Sequence, residues 1–384
     1  MTFSIQSLAT ATPKYRIEQP QAASIAESIC CETDRHRRLL PELYRRSGVN
    51  HRHSVLLTPV EPAATNTYRA ETTTAKAVAE VASECVTQSF FEPAQHADDC
   101  GPTTAQRMQL YERYAPALAA EAAERALFSS PWRPDEITHL ITVSCTGFAA
   151  PGVEHSLVRE CGLSPSVQRT NVGFMGCHGA INGLRVAKAF ADADPSARVL
   201  MCAVELCTLH QQYGWHPDRI VSNSLFADGA AAIVGSFDPC QGTGPTVQSA
   251  ASMLVEGTEE LMAWHVRDNG FEMSLSTHVP EAIKSSLAPW LNQWLNKHDL
   301  DIADVGSWAV HPGGPRILRA VEHALSFGED KLRESYQVLA DHGNMSSATV
   351  LFILQRLLQR QEQVMPCVML AFGPGVTVEA ALIV

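Results

Sequence analysis

The sequence predicts an α/β fold with a mostly parallel interior. Two observations carry that prediction. Short, nearly unbroken apolar runs recur, such as "ITHLITVSC" (137–145), "ARVLMCAVE" (197–205) and "GAAAIVGSF" (229–237), as strands buried on both faces require. Helical patterns alternate with them, and that alternation calls for a sheet covered by helices.

Residues 21–46 read as helical with a basic end: Arg35, Arg37, Arg38, Arg45 and Arg46, then Arg52. "FFEPAQHADDCGPTT" holds breakers and polar residues and reads as a loop. Residues 105–127 are rich in Ala and Leu at i, i+4 spacing, which predicts a long helix. After the strand at 137–145, "NVGFMGCHGAINGLRVAKAF" (171–190) runs through a glycine-containing turn into a helix. Ile181, Leu184, Ala187 and Ala191 mark one face of it; Arg185, Lys188 and Asp192 mark the other. "CQGTGPT" (240–246) is the candidate boundary, dividing the chain into 1–238 and 239–384. Beyond it come an amphipathic helix at 283–298 and a strand at 305–312. A turn and helix follow at 343–361, then strands at 366–373 and 376–384. Each half holds a strand, a glycine-containing turn and a helix, the layout of a duplication.

The 384 residues are 45% hydrophobic and 18% charged, which fits a large globular core rather than a disordered chain. A formal charge of -12 argues against non-specific nucleic-acid binding. No signal peptide is visible at the N-terminus, and the most apolar stretches are too short to span a bilayer. The expected compartment is the cytoplasm, where the eleven cysteines stay reduced. No CxxC or HExxH occurs, so no metal site is expected.

Cys177 sits at a helix entry between Gly176 and Gly179. Unpaired N–H groups and the positive helix end favour a thiolate there, and the glycines leave room for a reacting group. The plainer reading is a small buried thiol. His178 is a poor base for its neighbour, because adjacent residues at a helix start point in different directions. A base must bring its ring within about 3 Å of the sulfur, so the partner should come from elsewhere. His311 in "WAVHPGGPRIL" ends a strand before a Pro-Gly-Gly turn, a common station for active-site groups. Asn344 in "DHGNMSSATV" opens a helix; an N-cap or turn residue is the competing reading.

"WAVHPGGPRIL", "GNMSSATVLFIL", "AFGPGVTVEA", "SNSLFADGAAAIVG" and "QRTNVGFMGCHGAINGLRVAKAF", in that combination, resemble the chalcone-synthase-like type III polyketide synthases. The likeness runs from "LATATP" near residue 8 to the C-terminus. It implies a thiolase-like five-layered αβαβα fold of two similar halves, in a homodimer. It also implies that Cys177 is the nucleophile, His311 and Asn344 complete the catalytic set, and Phe226 is the gatekeeping phenylalanine. His311 lies 134 residues after Cys177 and Asn344 a further 33, which fits. Met273, Trp264, Cys207 and His210 fall at cavity positions where they depart from the plant pattern, so the product need not be a chalcone and the chain reads as a bacterial-type member. Arg46 is carried over as a coenzyme A contact, and Gly313 and Gly314 flank the pantetheine arm.

The activity this implies is loading of an acyl-CoA starter on Cys177, repeated decarboxylative condensation with malonyl-CoA, and cyclisation to a pyrone, resorcinol or related polyphenol. The coenzyme A thioesters are substrates, and no cofactor is expected. The alternative on the same fold is a β-ketoacyl carrier-protein synthase III-like enzyme that stops after one condensation. A cysteine hydrolase and a catalytically dead binding protein are rivals from other classes. Neither a nucleic-acid nor a membrane partner is expected.

Overall fold

The computed structural model describes residues 2–60, 86–237, 244–328, 330–360 and 365–384. The expected boundary at 238/239, with most of "CQGTGPT", lies outside the described residues.

The chain opens with strand β1 (Phe3–Ala11), a short β2 (Arg16–Glu18), and helices α1 (Gln19–Cys30) and α2 (Asp34–Arg45). The single helix expected over 21–46 is therefore two, because residues 31–33 leave the helix and Thr33 caps α2, its side chain accepting from the His36 N–H. Short strands β3 (His51–His53), β4 (Thr58–Pro59) and β5 (Val86–Thr87) precede the long α3 (Thr104–Phe128), which starts with a capping box between Thr103 and Gln106. Then come β6 (His139–Ser144), α4 (Val153–Glu160), β7 (Gln168–Gly173), α5 (Gly179–Ala193), β8 (Arg198–Leu206), α6 (Pro217–Leu225) and β9 (Asp228–Phe237). The second half has β10 (Thr246–Leu254), a hairpin of β11 (Met262–Arg267) and β12 (Gly270–Leu275), α7 (Val279–Leu295) and β13 (Ser307–Val310). It ends with α8 (Pro315–Leu325), α9 (Arg333–His342), α10 (Thr349–Leu358), β14 (Cys367–Gly373) and β15 (Thr377–Ile383).

Nine strands form one sheet in the order β13-β14-β15-β10-β1-β9-β8-β6-β7. Its two wings repeat one plan. In the first, β8 runs parallel to β6, then β9 and β1 alternate antiparallel. In the second, β14 runs parallel to β13, then β15 and β10 alternate antiparallel. Within the sheet the wings join where Phe3 and Ser4 face Val247 and Thr246, with the Ile5 N–H donating to the Pro245 carbonyl at 2.9 Å.

Three apolar clusters give the layering. Helices α3 and α4 cover the outer face of the first wing through Leu140, Leu200, Cys202 and Val204. Helices α7 and α8 cover the outer face of the second through Trp308, Val310, Val368 and Leu370. Between the wings lie α5 and α10, packed on Ile141, Val143 and Met201 from one side and Ala309, Met369 and Ala371 from the other. The stack is α, β, α, β, α. Residues alternating along β6 and β14 thus serve two cores, which explains their unbroken apolar runs.

Candidate active site

The middle layer builds the site, because α5 and α10 both begin there. The nucleophile turn needs two close approaches. Gly176 holds φ +83° with Pro374 packed against it; a Cβ would lie 2.4 Å from the Pro374 Cδ. A Cβ on Gly179 would lie 2.9 Å from Val143 Cγ1. Cys145, at the end of β6, clamps the same turn: its Sγ accepts from the Gly176 N–H at 3.0 Å and donates to the Gly176 carbonyl at 3.1 Å.

Cys177, His311 and Asn344 line one pocket, with Leu225, Phe226, Met262, Met273, Gly313 and Ile317 among its walls. It encloses about 440 Å³ including its mouth. His311 follows β13 and is fully buried, and neither ring nitrogen has a hydrogen-bond partner among the described residues. Asn344 is fixed from two sides. Its backbone N–H donates to the Leu225 carbonyl (2.8 Å), and its carbonyl accepts from the Ala227 N–H (2.9 Å). Its side-chain Oδ1 accepts from the Ser346 N–H at 2.9 Å, which leaves the amide N–H groups to face Cys177.

The electrostatics differ from the expectation of a lowered thiol pKa. Burial pushes the Cys177 thiol up to about 12, opposed by hydrogen bonds from Ser346 and Asn344. Burial also pushes the His311 imidazole down to about 3, with His178 adding a smaller push the same way. Burial thus disfavours both charged forms, the thiolate and the imidazolium.

A second chamber adjoins the first and shares Cys177, Phe226, Met262 and Met273 with it. Its other walls are Cys145, Thr146, Gly176, Cys207, Trp264, Ser346, Gly373 and Pro374, around about 360 Å³. Trp264 and Met273 face each other across the hairpin, and the Trp264 indole N–H donates to the Cys145 carbonyl at 2.9 Å. Phe226 stands between the chambers, its ring 6.0 Å from Trp264. Its carbonyl accepts from Arg52 at 2.9 Å.

His210 does not line either chamber. Its Nε2–H donates to the Thr146 carbonyl (2.7 Å), its Nδ1 accepts from the Phe271 N–H (3.0 Å), and its ring stacks on Phe271 at 4.2 Å. Both ring nitrogens are used in tying the hairpin to the loop after β6, so the expected cavity contact is corrected to a brace behind Trp264. His178 is likewise engaged away from the sulfur. Its Nδ1–H donates to Asn182 Oδ1 (2.7 Å), the Asn182 amide donates to Glu379 (2.9 Å), and Arg185 holds the other Glu379 oxygen (2.9 Å).

At the outer rim, Gly313 lines the pocket and Gly314 holds φ +138° before α8. Arg46 reaches this rim indirectly: a Cβ on Gly48, two residues on, would lie 3.0 Å from Pro315 Cγ. Its guanidinium is paired with Glu42 at 2.6 Å, and Arg45 shares that carboxylate.

Among the lining groups that sequence reasoning passed over are Cys145, Thr146, Met262 and Ser346. The expected mostly parallel interior is corrected: the centre of the sheet is antiparallel, and parallel pairing is confined to its two ends. Cys145 and Thr146 follow the C-terminal end of β6, which runs parallel to both its neighbours, the end where α/β sites form, and that signal was available. Ser346 holds φ 47° within a quoted motif. Behind them sits Glu205, fully buried, accepting from the Cys145 N–H (2.9 Å), the Thr146 hydroxyl (2.8 Å) and the Ser347 hydroxyl. Burial raises its pKa, and these donors oppose the rise.

"Chalcone and stilbene synthases, N-terminal domain" matches residues 71–239, and the corresponding C-terminal domain matches residues 246–384. The chain is 33% identical to "Alpha-pyrone synthesis polyketide synthase-like Pks18" of Mycobacterium tuberculosis, over 98% of this chain and 90% of that one. It is 30% identical to 1,3,6,8-tetrahydroxynaphthalene synthase of Streptomyces peucetius, over 99% and 92%. The crystal structure of PKS-I from the brown alga Ectocarpus siliculosus superposes with a TM-score of 0.85 at 28% identity, covering 100% of this chain and 98% of that one.

Proposed function

From the premise that this chain belongs to the chalcone and stilbene synthase family and is a type III polyketide synthase, we propose the role of each residue in the pocket. One observation carries the reading: Cys177, His311 and Asn344, far apart in sequence, share one pocket in which the imidazole has no hydrogen-bond partner among the described residues.

An acyl-CoA starter enters past Gly313. As Cys177 attacks the thioester carbonyl, its proton moves to His311, coenzyme A leaves as the thiol, and the acyl group stays on sulfur. Burial disfavours each charge alone, so the thiolate and the imidazolium stabilise one another as an ion pair. Malonyl-CoA then binds with its carboxylate against the apolar wall of Phe226. Loss of CO2 leaves an enolate whose oxygen receives hydrogen bonds from the His311 Nε2–H and the Asn344 amide. Such a donor is worth about 2.7–4 kcal/mol in the barrier. The enolate carbon attacks the Cys177 thioester, the thiolate leaves, and the lengthened chain, now on coenzyme A, returns to Cys177 for the next round. The second chamber, walled by Cys207, Trp264 and Met273, receives the growing chain and cyclises it to a pyrone, resorcinol or related polyphenol. Named relatives make an alpha-pyrone and a tetrahydroxynaphthalene, which supports that range. The single-condensation alternative is not favoured.

We further assign a homodimer, two domains (1–238 and 239–384) and a cytoplasmic location. The dimer reading is supported by β7, a sheet-edge strand with exposed positions, and by the exposed Phe148, Phe174 and Met175 beside it. The test is to incubate the protein with acyl-CoAs of graded length and radiolabelled malonyl-CoA, then read product masses. Several extender units per starter are expected; one unit per starter, or no CO2 release, overturns the reading.

A further inference from the structure

Helix α2 carries a surface that the catalytic reading does not use. His36, Leu40 and Tyr44 form its inner face: Leu40 and Tyr44 are buried, and His36 stacks on Trp215 at 4.1 Å. Arg35, Arg38, Leu39, Glu42 and Arg46 follow i, i+3, i+4 spacing along the outer face, with Leu43 one turn beyond Leu39. Leu39 and Leu43 are 42% and 37% exposed. Five arginines from 35 to 46 stand in a chain whose formal charge is -12. Arg37 is paired with Asp34 (3.0 Å) and Glu27 (3.4 Å). Glu42 holds both Arg45 and Arg46, while Arg35 and Arg38 have no carboxylate partner among the described residues.

The stripe leads to the pocket. Past Arg46, Gly48 abuts Pro315 at the start of α8, next to Gly313 on the pocket wall. The inner side of α2 packs along α6, whose half-exposed Val221 also lines the pocket. Twelve helical residues span about 18 Å, so the unpaired arginines lie well away from the mouth itself.

We propose that this stripe docks an acyl carrier protein, an acidic helical partner that presents the starter as a phosphopantetheine thioester. The proposal rests on the polyketide-synthase reading above. A pantetheine arm has the same chemistry whether it ends in a nucleotide or on a protein, so one pocket accepts both. What differs is the surface outside the mouth. Free coenzyme A needs cations for its phosphates close to the mouth, and there Glu42 already occupies Arg45 and Arg46. A carrier protein needs a broader face of opposite charge with apolar anchors, which Arg35, Arg38, Leu39 and Leu43 supply. In the transfer, the Cys177 Sγ–acyl bond forms, the acyl bond to the carrier's sulfur breaks, and the carrier thiol takes the proton that His311 received.

The experiment compares octanoyl-CoA with an octanoyl-loaded bacterial acyl carrier protein as starter, each with malonyl-CoA, for wild type and the double variant R35E/R38E. Priming by both donors is expected in wild type. The double variant should lower kcat/KM for the carrier-bound starter at least tenfold, and added salt should reproduce part of that loss in wild type. Its octanoyl-CoA activity should stay within twofold, which also reports that it is folded. Octanoyl-CoA priming without carrier priming overturns this proposal and leaves the polyketide-synthase reading standing. Failure to prime with either donor and with every other acyl-CoA tried overturns both. Equal losses with the two donors assign the arginines to coenzyme A, and unchanged carrier activity with lost binding to phosphatidylglycerol vesicles assigns them to a membrane; either overturns the docking proposal.

Discussion

Replacing His178 with alanine separates a structural histidine from a catalytic one. The ring is buried and its Nδ1–H donates to Asn182, which continues to Glu379 and Arg185. Its opposite edge packs on Gly373, where an added Cβ would lie 2.3 Å from His178 Cδ2. Alanine leaves the buried Asn182 Oδ1 without its donor, at about 1–3 kcal/mol. Loss of the ring's packing adds to that, for a total of roughly 2–4 kcal/mol. The thermal midpoint should fall by a few degrees in a chain of this size. Malonyl-CoA decarboxylation, followed as radiolabelled CO2 below the unfolding range, should stay within about threefold, because no ring nitrogen of His178 is committed to Cys177. A general base is worth about 10²–10⁴-fold. A folded His178→Ala protein that loses decarboxylation by a hundredfold would falsify the division of labour between the two histidines.

Four other outcomes follow from the geometry. His311→Ala and Asn344→Ala should each cut decarboxylation by about 10²–10³-fold, because each removes an enolate donor; single-turnover CO2 release measures it. Trp264→Gly should add at least one extender unit to the main product, read by mass spectrometry, since the indole walls the second chamber. Gly176→Ala should lose soluble expression or most activity, because φ +83° and Pro374 leave no room for a Cβ. The fourth concerns acid. Burial lowers His210 and His311 to about 3 and His342 to about 4. The unfolded chain therefore binds protons that the native chain refuses. This stability is complete above the unfolded histidine pKa near 6.5 and is lost as pH falls through the folded values, about 4 for His342 and about 3 for His210 and His311. Denaturant unfolding should steepen with acid by about 1.4 kcal/mol per pH unit for each histidine, and His210→Gln should remove one such increment. A flat profile between pH 6.5 and 4 would count against neutral burial.

Strands were legible wherever both faces are buried, as in 137–145 and 366–373, since an apolar run survives any register. Strand β7 was not, because its exposed edge carries Gln168, Arg169 and Asn171 in place of such a run. The hairpin of β11 and β12 was missed for a similar reason: Trp264, His265 and Arg267 show no alternation, being half wall and half surface. The residues proposed as catalytic were legible because each stands at a punctuated end, Gly before Cys177 and Asn344, Pro-Gly-Gly soon after His311. His210 shows the limit of position alone. Its slot follows a strand as a cavity residue would, yet the direction of its ring is set by Thr146 and Phe271, and only folding brings those together.

Both helices of the middle layer point their N-terminal ends at one cavity, one contributed by each half of the chain. Together they make a converging positive potential that neither half could supply alone. Such a field sorts species by where their charge sits. In the proposed cycle the extender arrives with its charge on a carboxylate against Phe226, and decarboxylation moves that charge onto the oxygen between His311 and Asn344. Condensation then passes it to the Cys177 thiolate, and the neutral ketone loses its electrostatic hold. The two helix ends would thus hold the anion at each step of the cycle and leave the uncharged chain free to move into the neighbouring chamber.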